Sequence, residues 1–346
     1  MGKEITHIIF AQQTAQFLDY PDKDPFTAVL HDFPHCFHFG SIAADTFFYG
    51  IRIPFLDKAY SCCGEVVHGL AGNDTSLLPL EMLRSLRENP DGRFFRERLA
   101  FVCGFLTHVA LDSVLHPSIY YHSGNYHHEC PEERTNARTR HRLIESWIDL
   151  FLLQQASLSL HECRFIADIR LNSSVNRELL RFFHGAFART GNGDETSWKF
   201  LQRGYAVQML LNSAFPRAFW GKLVERANRA SKGKLRTFLA LFYPWDYAEI
   251  PPAITDFAMY RHPVTGERFQ EDFHSLWVQA RRRGEGFLQA SREYIYGDGD
   301  KDMLREAIKG YSLSMGLVGV PAINAGYFDC LPLSRIWMYG DRQHNR

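Results

Sequence analysis

The sequence predicts a mainly α-helical protein. Apolar residues recur at three- and four-residue steps in several long segments, whereas the alternating runs that are typical of strands are scarce. Turn-forming runs separate these segments, most clearly at 89–92 (Asn-Pro-Asp-Gly) and at 191–194 (Gly-Asn-Gly-Asp). Hydrophobic residues make up 45% of the 346 positions and charged residues 23%, so the chain can bury a large core.

In the first half of the chain, turns and prolines mark where the helices are expected to end. Pro117 is expected to end a helix, because proline has no N–H to donate to the preceding turn. The stretch 34–50 is rich in Phe and His and contains Gly40, so it is predicted to be irregular, and 118–135 is predicted to be a loop. The helices predicted here cover about 6–18, 95–116 and 136–156, with a short turn at 26–31.

Beyond the break at 191–194, the pattern predicts further helices separated by segments rich in Pro and Gly. We therefore divide the chain into a helical catalytic core, 1–190, and a helical C-terminal region, 191–346, packed on that core. No motif in the C-terminal region indicates a function. The helices predicted in it cover about 197–213, 216–242, 268–294 and 301–309.

The overall charge argues against some classes of partner. Lys plus Arg and Asp plus Glu number 39 each, so the formal net charge is zero. Nucleic-acid binders usually carry a basic excess, because neutralising phosphates drives their affinity. The sequence therefore shows no strong nucleic-acid signature, and its neutrality also argues against strong adhesion to anionic membranes.

Cysteine usage and the N-terminus indicate the cellular setting. The seven cysteines include no CxxC pair, so a zinc site made of thiolates is not expected. The N-terminus lacks the long apolar stretch of a signal peptide, and no run of about 18 apolar residues predicts a transmembrane segment. We therefore expect a cytoplasmic protein. The sequence leaves the oligomeric state open.

A stripe of polar residues crosses an otherwise apolar predicted helix. His108, Asp112 and His116 are spaced by four, which places them on one helix face about 6 Å apart along the axis. The two histidines are then about 12 Å apart along the axis, too far to share one ion whose ligands lie at about 2 Å. The spacing therefore suggests two metal ions, one toward each end of the stripe.

A second pair, His141 and Glu145, has the same four-residue spacing on the next predicted helix, and Asp149 continues the series. Imidazole and carboxylate are both good zinc ligands. Taken alone, such a pair is more often an ion pair on a solvent-exposed helix face. Opposite the first stripe, we interpret it as a second set of metal ligands.

Five ordered motifs contain these residues, at 6–10, 39–49, 68–69, 104–117 and 140–145. Together they resemble the motifs of the zinc-dependent phospholipase C family, which shares its fold with the S1/P1-type nucleases. The resemblance covers about residues 5–150 and includes seven metal-capable residues in the family's order. It implies a multi-helix phospholipase C/P1 nuclease-like bundle with extra C-terminal helices.

The resemblance also implies how the ligands are shared among zinc ions. Two zinc ions are expected, with a third position held by His7 together with a bridging Asp112. In secreted relatives the third zinc is also bound by the first residue of the processed chain, whereas here six residues precede His7, so the resemblance leaves that position incomplete. Asp45 matches the carboxylate that contacts the metal-bound water and serves as general base. The first zinc would be bound by His68, His108 and Asp112, and the second by His116, His141 and Glu145.

The function implied by the resemblance is the hydrolysis of a phosphodiester by a zinc-bound hydroxide. A phospholipid or another phosphodiester is then the expected substrate. Two alternatives stay open at this point: a nuclease or nucleotidase of the S1/P1 kind, and a non-catalytic member that keeps its metals for structure.

Overall fold

The computed structural model describes residues 3–18, 24–50, 63–244, 249–255, 259–337 and 339, and it is mainly α-helical, as predicted. The described part contains one small antiparallel sheet, in which Tyr260 pairs with Phe269. The α-helices are α1 (Glu4–Gln16), α2 (Pro25–Asp32), α3 (Pro34–Ala43), α4 (Cys63–Val67), α5 (Leu77–Arg87), α6 (Phe95–Ser123), α7 (Pro131–Gln155), α8 (Phe165–Leu171), α9 (Ser173–Arg189), α10 (Glu195–Ala214), α11 (Ala218–Ala230), α12 (Arg236–Leu239), α13 (Pro252–Thr255), α14 (Phe273–Tyr296), α15 (Lys301–Ile308) and α16 (Leu333–Ile336). The described residues also form two 3-10 helices, η1 (Ala44–Tyr49) and η2 (Ala322–Asn324), and two strands, β1 (Tyr260–Arg261) and β2 (Arg268–Phe269).

Helix α6 is the centre of the protein. Helices α1, α3, α7 and α14 pack around it, and nearly all of its side chains from Leu99 onward are buried. The sequence was expected to contain no segment apolar enough to span a membrane, but by length and composition α6 is such a helix. It is the one such helix in the described part of the chain. All of its apolar window is buried inside the protein, so packing in the core accounts for its apolarity.

The prediction that 34–50 is irregular is wrong, since this stretch forms α3 and η1. Gly40 does not interrupt the helix but lets it approach α6, because a Cβ at Gly40 would lie 1.9 Å from the Phe101 carbonyl oxygen. Gly104 makes the reciprocal contact on α6, where a Cβ would lie 2.0 Å from the Phe37 carbonyl oxygen. The glycine pattern therefore reflects close helix packing rather than a turn.

The prediction that Pro117 ends a helix is also wrong, since α6 continues to Ser123. Pro117 has no N–H for the carbonyl of Ser113, one turn earlier. Gly316 packs directly against that carbonyl, and a Cβ on Gly316 would lie 2.4 Å from the oxygen. Arg283 from α14 also donates to the Ser113 hydroxyl over 2.8 Å. Tertiary contacts thus cover the point at which the helical hydrogen bonding is interrupted.

The C-terminal half follows the predicted order of helices with shifted ends. Helix α10 begins after the predicted break, capped by Asp194, which accepts a hydrogen bond from the N–H of Ser197. The segment 216–242 is divided into α11 and α12 by Lys232 and Gly233, which have φ angles of 55° and 83°. The break predicted around 243–246 lies partly outside the described residues. Helix α14 packs on α6, while the division at residue 190 stays a prediction.

Candidate metal centre

Five elements or their ends bring all eight predicted site residues together. The side chains come from α1, η1, the residue after α4, and one face each of α6 and α7. Each residue is at most 5% exposed, so these are buried ionisable groups that need partners. The residues are His7, Asp45, His68, His108, Asp112, His116, His141 and Glu145.

The first group combines Asp45, His68 and His108, whose ligand atoms lie within 4.8 Å of one another. His68 Nε2 lies 3.1 Å from Asp45 Oδ1. The His68 and His108 rings meet edge to face, with centroids 5.7 Å apart. These atoms converge as ligands of a common ion would.

The second group combines His7, His108 and Asp112. Asp112 uses both oxygens here, with Oδ1 lying 3.4 Å from His7 Nε2 and Oδ2 lying 3.1 Å from His108 Nε2. The His7 and His108 rings stack with centroids 4.0 Å apart. A carboxylate with its two oxygens turned toward different imidazoles is suited to bridging two positions.

The third group combines His116, His141 and Glu145. Glu145 Oε1 lies 3.0 Å from His141 Nε2 and 3.4 Å from His116 Nε2. The stripe on α6 is therefore divided between separate groups, as its spacing suggested. The pair on α7 is buried against α6, which excludes the alternative of an ion pair on a solvent-exposed helix face.

The grouping differs in one respect from what the family resemblance implies. The resemblance assigns His68 to the same zinc as His108 and Asp112, whereas the structure places His68 and His108 with Asp45. Asp45 is thus close enough to be a ligand as well as a base. The assignment of roles to individual residues stays a prediction.

Backbone carbonyls hold three of the imidazoles in one orientation. Nδ1 of His68 lies 2.9 Å from the Gly64 carbonyl oxygen, and Nδ1 of His108 lies 2.9 Å from that of Ser41. Since a carbonyl can only accept, each Nδ1 must donate, which leaves Nε2 facing the cluster. His116 Nδ1 donates in the same way to the Leu313 carbonyl over 2.7 Å. This is the usual outer arrangement around metal-binding histidines.

The chemistry of these side chains fits zinc. Imidazole nitrogens and carboxylate oxygens in groups of three are the common ligands of zinc sites that keep a position for water. The buried atoms at the cluster that make no hydrogen bond to any of the described residues include Asp45 Oδ2, Glu145 Oε2, His7 Nδ1 and His141 Nδ1. A cation at the cluster would offset the cost of burying such carboxylate oxygens.

The charge state of the cluster also favours a cation. Burial would raise the pKa of Asp45, but its contact with His68 lowers it to about 2. The pKa of Asp112 and that of Glu145 also lie below the usual range despite burial, because His116 and His108 face Asp112 and because His141 faces Glu145. At neutral pH the cluster therefore contains three ionised carboxylates.

The imidazoles divide into two classes. Burial, reinforced by the neighbouring His108, lowers the pKa of His7 to about 3, so this ring is neutral and ready to bind a metal. Burial would also lower the pKa of His108, but the adjacent Asp112 carboxylate raises it to about 9. In the metal-free protein a proton on His108 thus takes the position of positive charge that a metal would supply.

Two contacts that position the ligands were not found from the sequence. Leu313, in the loop 312–317, donates its N–H to the His68 carbonyl over 2.9 Å and accepts from the His116 ring. Because it acts through its backbone, its side chain gives no signal. Asp149 accepts hydrogen bonds from the N–H and hydroxyl of Thr6 and from the Tyr243 hydroxyl. Its four-residue spacing after Glu145 was visible, but not its role in fixing the start of α1.

Space for an ion or a water exists between the second and third groups. A cavity of about 10 Å³ lies there, and its lining includes Lys3, His7, Asp112, His116 and Glu145. That volume is about what a single water molecule requires. Tyr120 and Tyr126 close the far side of the third group, with ring centroids 5.1 and 5.5 Å from that of His141.

Comparison with known proteins adds one match. The model of the family described as zinc dependent phospholipase C matches residues 6–190, a range that includes all eight residues of the cluster. No curated protein and no solved structure gives a significant match.

Proposed function

The chain belongs to the zinc-dependent phospholipase C family, and from this we propose that it hydrolyses a phosphodiester, with a phospholipid as the substrate class. The family and the buried clusters of His, Asp and Glu together support a zinc-dependent phosphoesterase. The observation that carries the proposal is the convergence of three groups of potential ligands on one buried site. Such a site has the ligands to hold two zinc ions, with a third position around His7.

We assign the ligands from the geometry. His116, His141 and Glu145 would hold one ion, and His68 and His108 another, with Asp45 or Asp112 as its carboxylate. His7 and the second oxygen of Asp112 would contribute to the third position. When bound, zinc supplies Lewis acidity that makes water more acidic and neutralises phosphate oxygens.

Asp45 is the residue best placed to orient the attacking water. It is 1% exposed and ionised at neutral pH, and its Oδ2 makes no hydrogen bond to the described residues. This oxygen can accept a hydrogen bond from water and receive its proton as the new oxygen–phosphorus bond forms. The bond from phosphorus to the leaving alcohol oxygen then breaks, and that oxygen takes up a proton from solvent. The contact of Oδ1 with His68 fixes the direction of the carboxylate.

The experiment combines elemental analysis with turnover. We expect at least two zinc ions per chain, together with hydrolysis of a chromogenic phosphocholine ester. Less than one zinc per chain would contradict the assignment of the cluster. Turnover of single-stranded DNA instead of the ester would favour a nuclease, and ample zinc without turnover of either would favour a metal-binding protein without this activity.

A variant tests the role of Asp45. Asp45→Asn should abolish turnover while most of the zinc stays bound, because the amide keeps the shape but loses the charge and the basic oxygen. Asp24→Asn is a matched control, since Asp24 is also buried but caps α2 and pairs with Arg292. We expect the control to keep its activity. Persistent activity in Asp45→Asn would exclude Asp45 as the base.

We also propose a cytoplasmic location, which free cysteines support. Five cysteines in the described part of the chain, Cys36, Cys103, Cys130, Cys163 and Cys330, form no disulfide, as is usual in a reducing compartment. Fractionation of the source cells tests the location, and recovery of the protein outside the cytoplasm would contradict it.

A further inference from the structure

Helix α11 and the residues around it concentrate positive charge in a chain that is neutral as a whole. The segment 217–236 contains seven basic residues and one acidic residue, Glu225, a formal charge of +6 that the rest of the chain balances. All of the basic residues except the half-buried Arg236 are exposed. The expectation that the protein avoids anionic membranes came from the neutral total, which hides this segment. The basic residues are Arg217, Lys222, Arg226, Arg229, Lys232, Lys234 and Arg236.

The same helix exposes its apolar side chains. Phe219 is 69% exposed and Leu223 is 48% exposed, while only Gly221 and Asn228 are buried. At about 100° per residue, Phe219 points away from the face that carries Gly221 and Asn228. A helix on the surface of a globular protein normally places polar residues there. In α11 the outward face instead contains large apolar residues beside basic ones.

Neighbouring elements extend this surface. Arg170 of α8 donates to the Ser213 hydroxyl of α10 over 2.9 Å, which joins the ends of these two helices. Leu171 and Leu210, at 76% and 65% exposed, add two apolar side chains on the same elements. Between α8 and the start of α11 lies a cavity of about 300 Å³, and its lining includes Arg164, Arg170 and Arg217.

We propose that α11, with its basic flanks, is a docking surface for an anionic lipid bilayer. Aromatic and aliphatic residues on one side of a Lys- and Arg-rich helix are typical of helices that lie in the membrane interface. The apolar residues would enter the boundary between headgroups and acyl chains, and the cations would face the acidic headgroups. A nucleic acid would match the charge, but it gives no reason to expose Leu223, Leu171 and Leu210.

The surface is connected to the metal centre through Phe215 and Lys3. Helix α11 starts three residues after Phe215, whose ring centroid lies 4.7 Å from the Lys3 ammonium. Lys3 immediately precedes α1, the helix that carries His7. Docking through α11 would therefore hold the membrane on the side of the molecule where α1 begins. The docking proposal is independent of the catalytic one, because binding to vesicles is measured without turnover.

The test is sedimentation of the full chain with vesicles of phosphatidylcholine alone or of phosphatidylcholine mixed with phosphatidylserine. We expect binding to the mixed vesicles only, weakening as salt is added. Lys232→Glu with Lys234→Glu should reduce binding at least about 25-fold, since each cation near an anionic surface contributes roughly fivefold. Phe219→Ser with Leu223→Ser should reduce it roughly tenfold or more, because the apolar side chains no longer leave water.

Matched controls lie on α15. Lys301→Glu and Met303→Ser change an exposed cation and an exposed apolar residue away from the segment 217–236, and both should bind like the wild type. All of the substituted side chains are exposed, so the circular dichroism spectrum should stay unchanged.

Several outcomes would overturn the proposal. Absence of binding to the mixed vesicles at low salt, equal binding to neutral vesicles, or wild-type binding by either double variant would each do so. It would also fail if single-stranded DNA, rather than vesicles, bound in a way that depends on Lys232 and Lys234. Finally, a dimer in light scattering that becomes a monomer in Phe219→Ser with Leu223→Ser, with vesicle binding unchanged, would identify the surface as a self-association face.

Discussion

Replacing Gly316 with alanine should weaken the contact between the loop 312–317 and helix α6. Gly316 has a φ of +67°, a conformation that costs a residue with a Cβ roughly 1–2 kcal/mol. The new Cβ would also lie 2.4 Å from the Ser113 carbonyl oxygen, so the loop or the helix must move. Such overpacking typically costs a further 1–3 kcal/mol or so. We therefore expect a total loss of about 2–5 kcal/mol in the free energy of unfolding.

The displacement should also affect the third ligand group. Leu313 in the same loop accepts the hydrogen bond from His116 Nδ1, and that bond keeps Nε2 directed at Glu145. Loss of such an outer contact typically lowers metal affinity about 10–100-fold. In Gly316→Ala, zinc held by the group of His116 should therefore be released to a chelator more readily than in the wild type. Zinc near Asp45 should be retained better than zinc in the group of His116.

Gly319→Ala is the matched control. Gly319 lies just after the same loop with a φ of +69°, but a Cβ there would meet no atom within 4 Å. It should therefore lose only the roughly 1–2 kcal/mol of backbone strain and keep its zinc affinity. Urea denaturation and competition with a zinc chelator measure the two effects. If Gly316→Ala behaves like Gly319→Ala in both assays, the contacts assigned to this loop do not support the metal centre.

Three further predictions concern protons and the start of α1. Zinc binding to the metal-free protein at pH 7 should release protons, and zinc affinity should rise toward pH 9, because Asp112 raises the pKa of His108 to about 9. Calorimetry in buffers of different ionisation enthalpy measures this release. A binding heat that did not depend on the buffer would contradict it. Burial raises the pKa of Glu4 from 4.5 to about 7, so its contribution to stability is present below about pH 4.5 and lost as pH rises through about 7. The Tm of metal-free Glu4→Gln should therefore rise relative to the Tm of the metal-free wild type between pH 5 and pH 8. A difference in Tm that stayed constant over this range would contradict this. Asp149→Ala should cost about 1–3 kcal/mol in the free energy of unfolding, because it leaves the Thr6 N–H without its acceptor. It should lower zinc affinity only in the group that contains His7. Competition with a chelator that showed equally lowered affinity in all three groups would argue against this.

Local sequence patterns predicted the helices but not the contacts that override local signals. The periodicity of 95–116 and 136–156 reflects faces buried on neighbouring helices, so it could be read without a structure. Gly40 and Pro117 are different, because each is a helix breaker in isolation. Gly40 lies within α3 because it packs on α6, and α6 passes through Pro117 where Gly316 covers the exposed carbonyl. Both depend on residues that are distant in the sequence.

For the candidate site, too, local spacing could be predicted, whereas contacts between distant segments could not. Four-residue spacing places His108, Asp112 and His116 on one face whatever surrounds the helix, so the stripe and its division could be inferred. The proximity of Asp45 to His68 could not be inferred, because it depends on how η1 and the end of α4 meet. Adhesion to membranes was judged from the total charge, although the basic segment 217–236 is visible in the sequence. The exposure of Phe219 and Leu223 beside it is visible only in the structure.

The part of the chain matched by the family model does not contain the whole candidate site. The match ends at residue 190, yet the carbonyl that orients His116 belongs to Leu313. The N–H of the same residue binds the His68 carbonyl, so one peptide segment connects ligands from two of the three groups. Since a carbonyl accepts only from a protonated nitrogen, Leu313 also fixes which nitrogen of His116 is available to a metal. The C-terminal region therefore acts on the chemistry of the cluster directly, although none of its side chains belongs to the three ligand groups.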